Sequence, residues 1–225
     1  MRIKVSVLIG LFLLATVAAN AQTVNLGDTQ DTSIASGALA TQNLTSSPEF
    51  LINWSPPPSS SQGLIQFDLS TLPANATINN ATLTLFHEFN DGNGKVYNFF
   101  RNTTAWNEST VTFDTRPSID PTAVSSLTIN DTSAAVFRTF NLTTVVQGWY
   151  AGTFANDGLT LMQNPDAAAW IYFQGRRAPN GAQRPVLTIN FTTSAVPEPG
   201  SLAFLAGLGV TGSLITLRRL NRRHK

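Results

Sequence analysis

Five arginines in the middle and late parts of the chain, Arg101, Arg116, Arg176, Arg177 and Arg184, are the residues best suited to meeting a charged ligand. A guanidinium is planar, and its forked N–H groups match a carboxylate bidentately, which suits uronate sugars. Trp54, Trp106 and Tyr172 are the aromatic side chains that could lay a flat apolar face against a sugar ring. The expected carbohydrate-binding set is Arg101, Trp106, Arg116, Arg176, Arg177 and Arg184. The competing reading is structural, with Trp106 and Trp149 in the core and Arg116 and Arg184 bracing loops. Asp28 and Asp31, at the entry to the first expected strand, carry the hard oxygen atoms that a calcium ion takes. Solvation of a turn or an edge strand explains them equally well.

Catalytic chemistry finds little support. The central part of the chain holds one histidine, His87, at the end of an expected strand. A G-x-S-x-G elbow, an H-E-x-x-H helix and a phosphate loop are all missing from the sequence. A glycosidase needs two facing carboxylates with separated pKa values. Glu108 and Asp114 are the best-placed pair by spacing, with Glu108 expected to accept backbone hydrogen bonds at a turn.

The elements that must position these residues lie between two unusual ends. Residues 1–21 open with Arg2 and Lys4, run apolar, and close on Ala19-Asn20-Ala21. That pattern predicts a secretory signal peptide cut after Ala21, with Ala19 and Ala21 as the small cleavage-site residues. A membrane anchor is the alternative, but the apolar run is shorter than the roughly 20 residues a span needs. At the other end, Val196, Pro197, Glu198, Pro199 and Gly200 precede an uncharged stretch, 201–217, and then a basic tail, 218–225, with four arginines. The stretch reads as a transmembrane helix near the short limit of about 17–25 residues. The basic tail stays cytoplasmic, so the rest of the chain faces outward. The alternative, a buried C-terminal helix, would show polar residues at helical spacing.

Both ends hide the charge of the part between them. Residues 22–196 carry 7 basic and 12 acidic residues, a net of 7 − 12 = −5, against +1 for the whole chain. An acidic domain lacks the basic footprint of nucleic-acid binding. The absence of cysteine excludes disulfides and thiolate metal sites. Nine Asn-x-Ser/Thr sequons, at Asn43, Asn53, Asn75, Asn80, Asn102, Asn107, Asn130, Asn141 and Asn190, follow from an Asn- and Thr-rich composition more simply than from glycosylation.

Period-two alternation marks strands around Ile65, Phe67 and Leu69, around Ala81, Leu83 and Leu85, around Val111 and Phe113, and around Leu187, Ile189 and Phe191. Turn signals separate them, among them Asn156-Asp157-Gly158 and Pro179-Asn180-Gly181. The pattern predicts an all-β domain over residues 22–193, an antiparallel jelly-roll β-sandwich. Leu142, Val145, Val146 and Trp149 fall at helical spacing, so one short helix is expected across an end of the sandwich, with Gly148 and Gly152 at its close. The stretch from Ser55 to Ser61 reads as a mobile loop, and Thr192 to Ala195 as a linker to the sorting segment 194–225.

Two resemblances add to this reading. The order of Pro197-Glu198-Pro199, an apolar helix and an arginine cluster resembles the PEP-CTERM sorting signal. It implies export to the envelope, outer surface or extracellular matrix of a Gram-negative bacterium that makes exopolysaccharide, with an exosortase-type enzyme as processing partner. Four blocks of the central domain resemble the DNRLRE domain, grouped with carbohydrate-binding module family 96. They are Leu64 through Leu83, Trp106 through Pro117, Phe140 through Leu159, and Arg184 through Ile189. The resemblance implies a jelly roll that binds acidic polysaccharide, with a structural calcium and without catalysis. Gly175-Arg176-Arg177 departs from the family's Ser-Arg-Glu block at positions expected on the surface. The leading expectation is therefore an exported, non-enzymatic polysaccharide-binding protein. A purely structural or adhesive matrix protein is the alternative, and a polysaccharide-degrading enzyme comes last.

Overall fold

The computed structural model describes residues 19–54, 60–90, 94–130, 135–164 and 169–194. The expected signal peptide before Ala19, the expected loop at 55–59, and the expected sorting motif, transmembrane helix and basic tail from 195 onward lie outside them. Ala19 and Ala21 are the first and third residues of a strand. Among the described residues, no helix is long and apolar enough to cross a membrane.

Residues 21–192 form one compact unit. The strands are β1 (Ala19–Ala35), β2 (Glu49–Trp54), β3 (Ser61–Phe67), β4 (Ala76–Asn90), β5 (Lys95–Asn102), β6 (Ile119–Ile129), β7 (Val136–Asn141), β8 (Leu159–Gln163), β9 (Ala169–Gln174) and β10 (Val186–Ser194). One helix, α1 (Thr143–Tyr150), joins β7 to β8. The domain is all-β, as the alternation predicts. Its closure differs from the expected pair of separate sheets. The strands run in one hydrogen-bonded order, β1-β10-β4-β9-β2-β3-β8-β5-β6, with β7 on β4, and a further pairing of β1 with β3 closes six of them into a ring.

The length of β1 makes this closure possible. Thr23 and Asn25 bond to Asn190 and Thr188, which ties the first half of the strand to β10. A register shift between Asp28 and Gln30 then turns the second half onto β3, from Gln30–Gln66 to Ala35–Ser61. Bulges bend and twist a strand in this way, and here the bend joins β1 to strands on both sides of the ring. Asp28 and Asp31 thus lie at this bend, not at the entry of the strand.

Inward positions of the strands fill the centre: Leu83 and Leu85 of β4, Tyr97 and Phe99 of β5, Ile171 and Phe173 of β9, Leu187 and Ile189 of β10. Phe99 meets Phe140 edge to face at 4.8 Å, the geometry aromatic quadrupoles prefer. The helix forms where the stripe predicts and buries Val145, Val146 and Trp149. Gly152 closes it with a positive φ of 68°, but Gly148 has a different role. A Cβ there would stand 2.1 Å from Phe154 Cζ, so this glycine is the seat of a ring.

Val111 and Phe113 are not in a strand. Asn107 folds the segment into a turn, its carbonyl accepting from Val111 N at 2.9 Å and its side chain from Ser109 N at 2.8 Å. The two apolar residues, with Trp106, instead cover a second small core of Ile34 and Leu64. The expected linker at its start is also strand, since β10 continues to Ser194.

Candidate functional site

The sequence separates Asp31, Glu108 and the Arg176–Arg177 pair widely, and the fold brings them together. Asp31 is buried in β1, Glu108 is buried in the loop after β5, and both arginines follow β9. Arg177 Nη1 donates to Glu108 Oε1 at 2.6 Å and to Asp31 Oδ1 at 3.3 Å. Arg176 holds Glu108 through both Nε, at 3.2 Å, and Nη2. Its backbone N–H donates to Asp31 Oδ2 at 2.6 Å. The approach requires Gly175, where a Cβ would stand 2.5 Å from that oxygen. Gln30 completes the network by accepting from Glu108 N at 2.9 Å and donating to Gln66 at 2.8 Å.

The electrostatics follow from this geometry. Burial pushes the Glu108 carboxyl up, but hydrogen bonds from Arg177 and Arg176 outweigh it and bring the pKa down to about 2. Burial is also the largest cause at Asp28, where the charge of Asp31 adds to it and the pKa is pushed up to about 8. Asp31 is raised too, chiefly by burial, against the Arg176 amide. This donor set does not fit calcium, which takes six to eight oxygen ligands. Both oxygens of Asp31 already accept from arginine N–H groups, and the positive charge in the cluster comes from two guanidinium groups. Among the described residues, no group of three or more Asp, Glu or His is arranged to hold a metal. Gly175-Arg176-Arg177 is therefore a half-buried brace, not the surface block the sequence suggested, and Glu108 serves mainly as an ion-pair acceptor.

The other expected contact residues are distributed over the molecule and are also engaged. Arg101 pairs with Asp120 at 2.9 Å and lies over the Phe154 ring at 4.4 Å. Arg116 is exposed, stacks on Phe113 at 4.1 Å and donates to its carbonyl at 2.6 Å. Arg184 Nε donates to Ala178 O at 3.1 Å, and Trp106 Nε1 to Asp157 O at 3.0 Å. Arg116 and Arg184 thus fit the bracing role weighed above, and Trp106 packs partly buried against the small core of Ile34 and Leu64. Asp114 is exposed and lines a cleft with Arg116, apart from the Glu108 cluster. His87 is fully buried beside Phe173, and its Nδ1 accepts from Arg138 Nε at 3.3 Å. Of the sequons, Asn53 and Asn102 are buried, where no glycan could sit.

What the fold leaves open is an aromatic face on the outer side of β4, β9 and β2. Along β9 the residues alternate, with Ile171 and Phe173 inward and Trp170 and Tyr172 outward. Outward residues two apart on a strand stand roughly 6.6 Å from each other. Trp170 is 41% exposed and Phe89, the cross-strand partner of Tyr172 on β4, is 49% exposed. The Phe89 and Tyr172 rings are 6.1 Å apart. On its other side Tyr172 faces Leu51 of β2 and borders a cleft of about 480 Å³ with Gln42, Asn43, Ser46 and Glu49. Partly exposed aromatic side chains gathered on one sheet face make it a candidate interaction surface. Sequence reasoning named Tyr172 but missed Trp170 and Phe89. The strand Ala169–Gln174 alternates, and its outward tryptophan and tyrosine were the available signal. The Trp54 side chain lies outside the described residues.

Partly exposed aromatic side chains on one face of a rigid sheet are suited to ligand binding. Residues 22–191 match the model of carbohydrate-binding module family 96, and the chain belongs to that family. Among curated proteins no sequence matches the chain. Carbohydrate binding is thus the family function, and a module of this kind is non-catalytic.

Proposed function

We propose that this is an exported, non-enzymatic polysaccharide-binding protein whose glycan lies across Phe89, Tyr172 and Trp170. The observation that carries the reading is the outward pair Trp170 and Tyr172 on β9, with Phe89 alongside, within the residues that match the carbohydrate-binding family. The axial C–H groups of a pyranose form an apolar surface that covers such rings and removes them from water. The cleft beside Tyr172 supplies amides and hydroxyls from Gln42 and Ser46 for the sugar hydroxyls. The arginines expected to hold an acidic polysaccharide have partners within the protein, so the reading rests on stacking.

In this proposal the signal peptide ending at Ala21 exports the chain. The segment around Pro197, Glu198 and Pro199 hands it to an exosortase-type enzyme at the membrane, and the domain works on the outer surface or in the extracellular matrix. Binding to immobilised polysaccharides, measured for the intact chain and for a Trp170→Ala/Tyr172→Ala variant, tests the binding half. A variant that binds as the parent does would overturn it. Expression with Pro197 and Pro199 replaced by alanine tests the sorting half, which predicts retention of the unprocessed chain.

A further inference from the structure

We infer that Glu49, Glu88 and Gln174 form a site for a divalent cation of the calcium type, and that the open positions of this cation take oxygen atoms of the glycan. The glycan half rests on the reading of Phe89, Tyr172 and Trp170 as the sugar platform, and the cation half stands without it. Three neighbouring strands bring the side chains together. Gln174 continues the outward row of Trp170 and Tyr172 on β9. Glu49 of β2 lies directly across from it, beside the Leu51–Tyr172 pair. Glu88 sits at the register shift of β4 between His87 and Phe89. Such a shift re-aims a side chain, and here it brings a second carboxylate to Gln174 from the other flank of β9.

The amide between the two acids is incompletely satisfied. Gln174 is buried, at 7% exposure, and its Nε2 donates to Glu49 Oε1 and to Glu88 Oε2, each at 3.3 Å. Both bonds are longer than the usual N–H···O range. Its Oε1 is buried with no hydrogen-bond partner, and a buried acceptor in that condition points to an ion or a water. A half-turn about the last bond of the side chain exchanges the two ends of the amide and turns Oε1 toward both carboxylates. Three acceptors then face one another, and a cation holds them together. Among the described residues, no lysine or arginine is ion-paired with Glu49 or Glu88. The Asp31 cluster differs in this respect, since two guanidinium groups already supply its positive charge.

Calcium takes six to eight oxygen ligands, carboxylates and amide carbonyls among them. Two carboxylates and one amide offer at most about five, which leaves positions open. So few protein ligands at an exposed rim hold the ion weakly, with a Kd of roughly 1 mM. Near that concentration the melting temperature of the free chain moves by only about 1 °C. The outward neighbour of Gln174 on β9 is Tyr172, roughly 6.6 Å along the strand. A glycan lying on the rings can therefore reach the ion with its oxygens.

The test is calorimetric titration of the full chain with calcium chloride, with and without a polysaccharide that the chain retains in the immobilised-polysaccharide assay. Calcium should raise glycan affinity about tenfold, and the glycan should raise calcium affinity by the same factor, because coupling between two sites is reciprocal. Glu49→Gln/Glu88→Gln should abolish calcium binding and make glycan affinity the same in EDTA as in calcium. Gln174→Glu, which adds a third carboxylate, should bind calcium more tightly than the parent, a gain that misfolding could not produce. Absence of calcium binding in the parent, calcium binding that survives the double substitution, or glycan affinity indifferent to EDTA in the parent would each overturn the inference. Trp170→Ala/Tyr172→Ala separates the two readings. If it loses the glycan and keeps calcium, both stand. If it binds the glycan as the parent does, the platform reading fails, and calcium binding to Glu49→Gln/Glu88→Gln still decides the cation site.

Discussion

Arg177 reaches Glu108 at 2.6 Å from a position 69 residues further along the chain, and so ties the turn after β9 to the loop after β5. Glu108 is nearly enclosed, while about a third of the Arg177 side chain remains in water. Removing the acid leaves two guanidinium groups in a partly buried site without their main partner. A fully buried pair broken in this way costs about 3–5 kcal/mol, and partial exposure of the arginines reduces this to roughly 2–3 kcal/mol. Glu108→Ala should therefore lower stability to chemical denaturation by about that much while leaving glycan affinity intact. Loss of affinity in a variant that remains folded would place Glu108 in the binding site.

The same cluster sets a pH dependence with two limbs. Glu108 has an ordinary value of 4.5 and is held down to about 2 by Arg177 and Arg176, against its burial. The unfolded chain takes up that proton first, so stability falls as pH drops through this range. Asp28 has an ordinary value of 3.8 and is pushed up to about 8, by burial and then by Asp31. Here the folded chain keeps the proton longer, so stability falls as pH rises from 3.8 toward 8. The melting temperature should peak near pH 4–5 and decline toward pH 8. Asp28→Asn should flatten the alkaline limb alone, and an unchanged alkaline limb in that variant would remove Asp28 as its cause.

Calcium should matter little to the stability of the free chain. Asp31 is satisfied by arginine N–H groups, so thermal unfolding in EDTA and in millimolar calcium should agree within about 1 °C. A ligand that binds only the folded chain raises stability by about 2.7 kcal/mol at a hundred times its Kd. A rise of several degrees with calcium would show that the cluster rearranges to admit the ion.

Gly148 offers a packing test remote from the glycan face. An added methyl would meet the Phe154 ring at 2.1 Å, and that ring also lies under Arg101. Gly148→Ala gains helix propensity of about 1 kcal/mol, but overpacking costs about 1–3 kcal/mol. Net destabilisation in a denaturant melt is expected, and a more stable variant would show that Phe154 moves aside freely.

Elements governed by local pattern were readable in the sequence. The alternation of Leu187, Ile189 and Phe191, and the helical stripe of Val145, Val146 and Trp149, gave strand and helix where they stand. Long-range pairing was not readable. The bend of β1 between Asp28 and Gln30 depends on which strand each half meets, and β3 lies some thirty residues away. Arginine chemistry was read correctly in kind and misplaced in direction. A guanidinium seeks a carboxylate, and Arg176 and Arg177 found theirs in Glu108 and Asp31 before any ligand. Val111 and Phe113 alternate as a strand does, yet the Asn107 turn overrides the pattern. The alternation of Ala169–Gln174 pairs Trp170 with Tyr172 on one face, but which face looks outward, and that Phe89 joins it, depends on the strands that β9 meets.

The most direct measurement is the affinity of the intact chain for a polysaccharide that it retains in the immobilised-polysaccharide assay, compared with that of Trp170→Ala and Tyr172→Ala. Both side chains stand on the outer face of the sheet, so the variants should keep the parent fold. Each substitution should weaken binding about tenfold or more, in line with the roughly 1.5–3 kcal/mol gained by removing a large apolar side chain from water. Unchanged affinity in both folded variants would contradict the account.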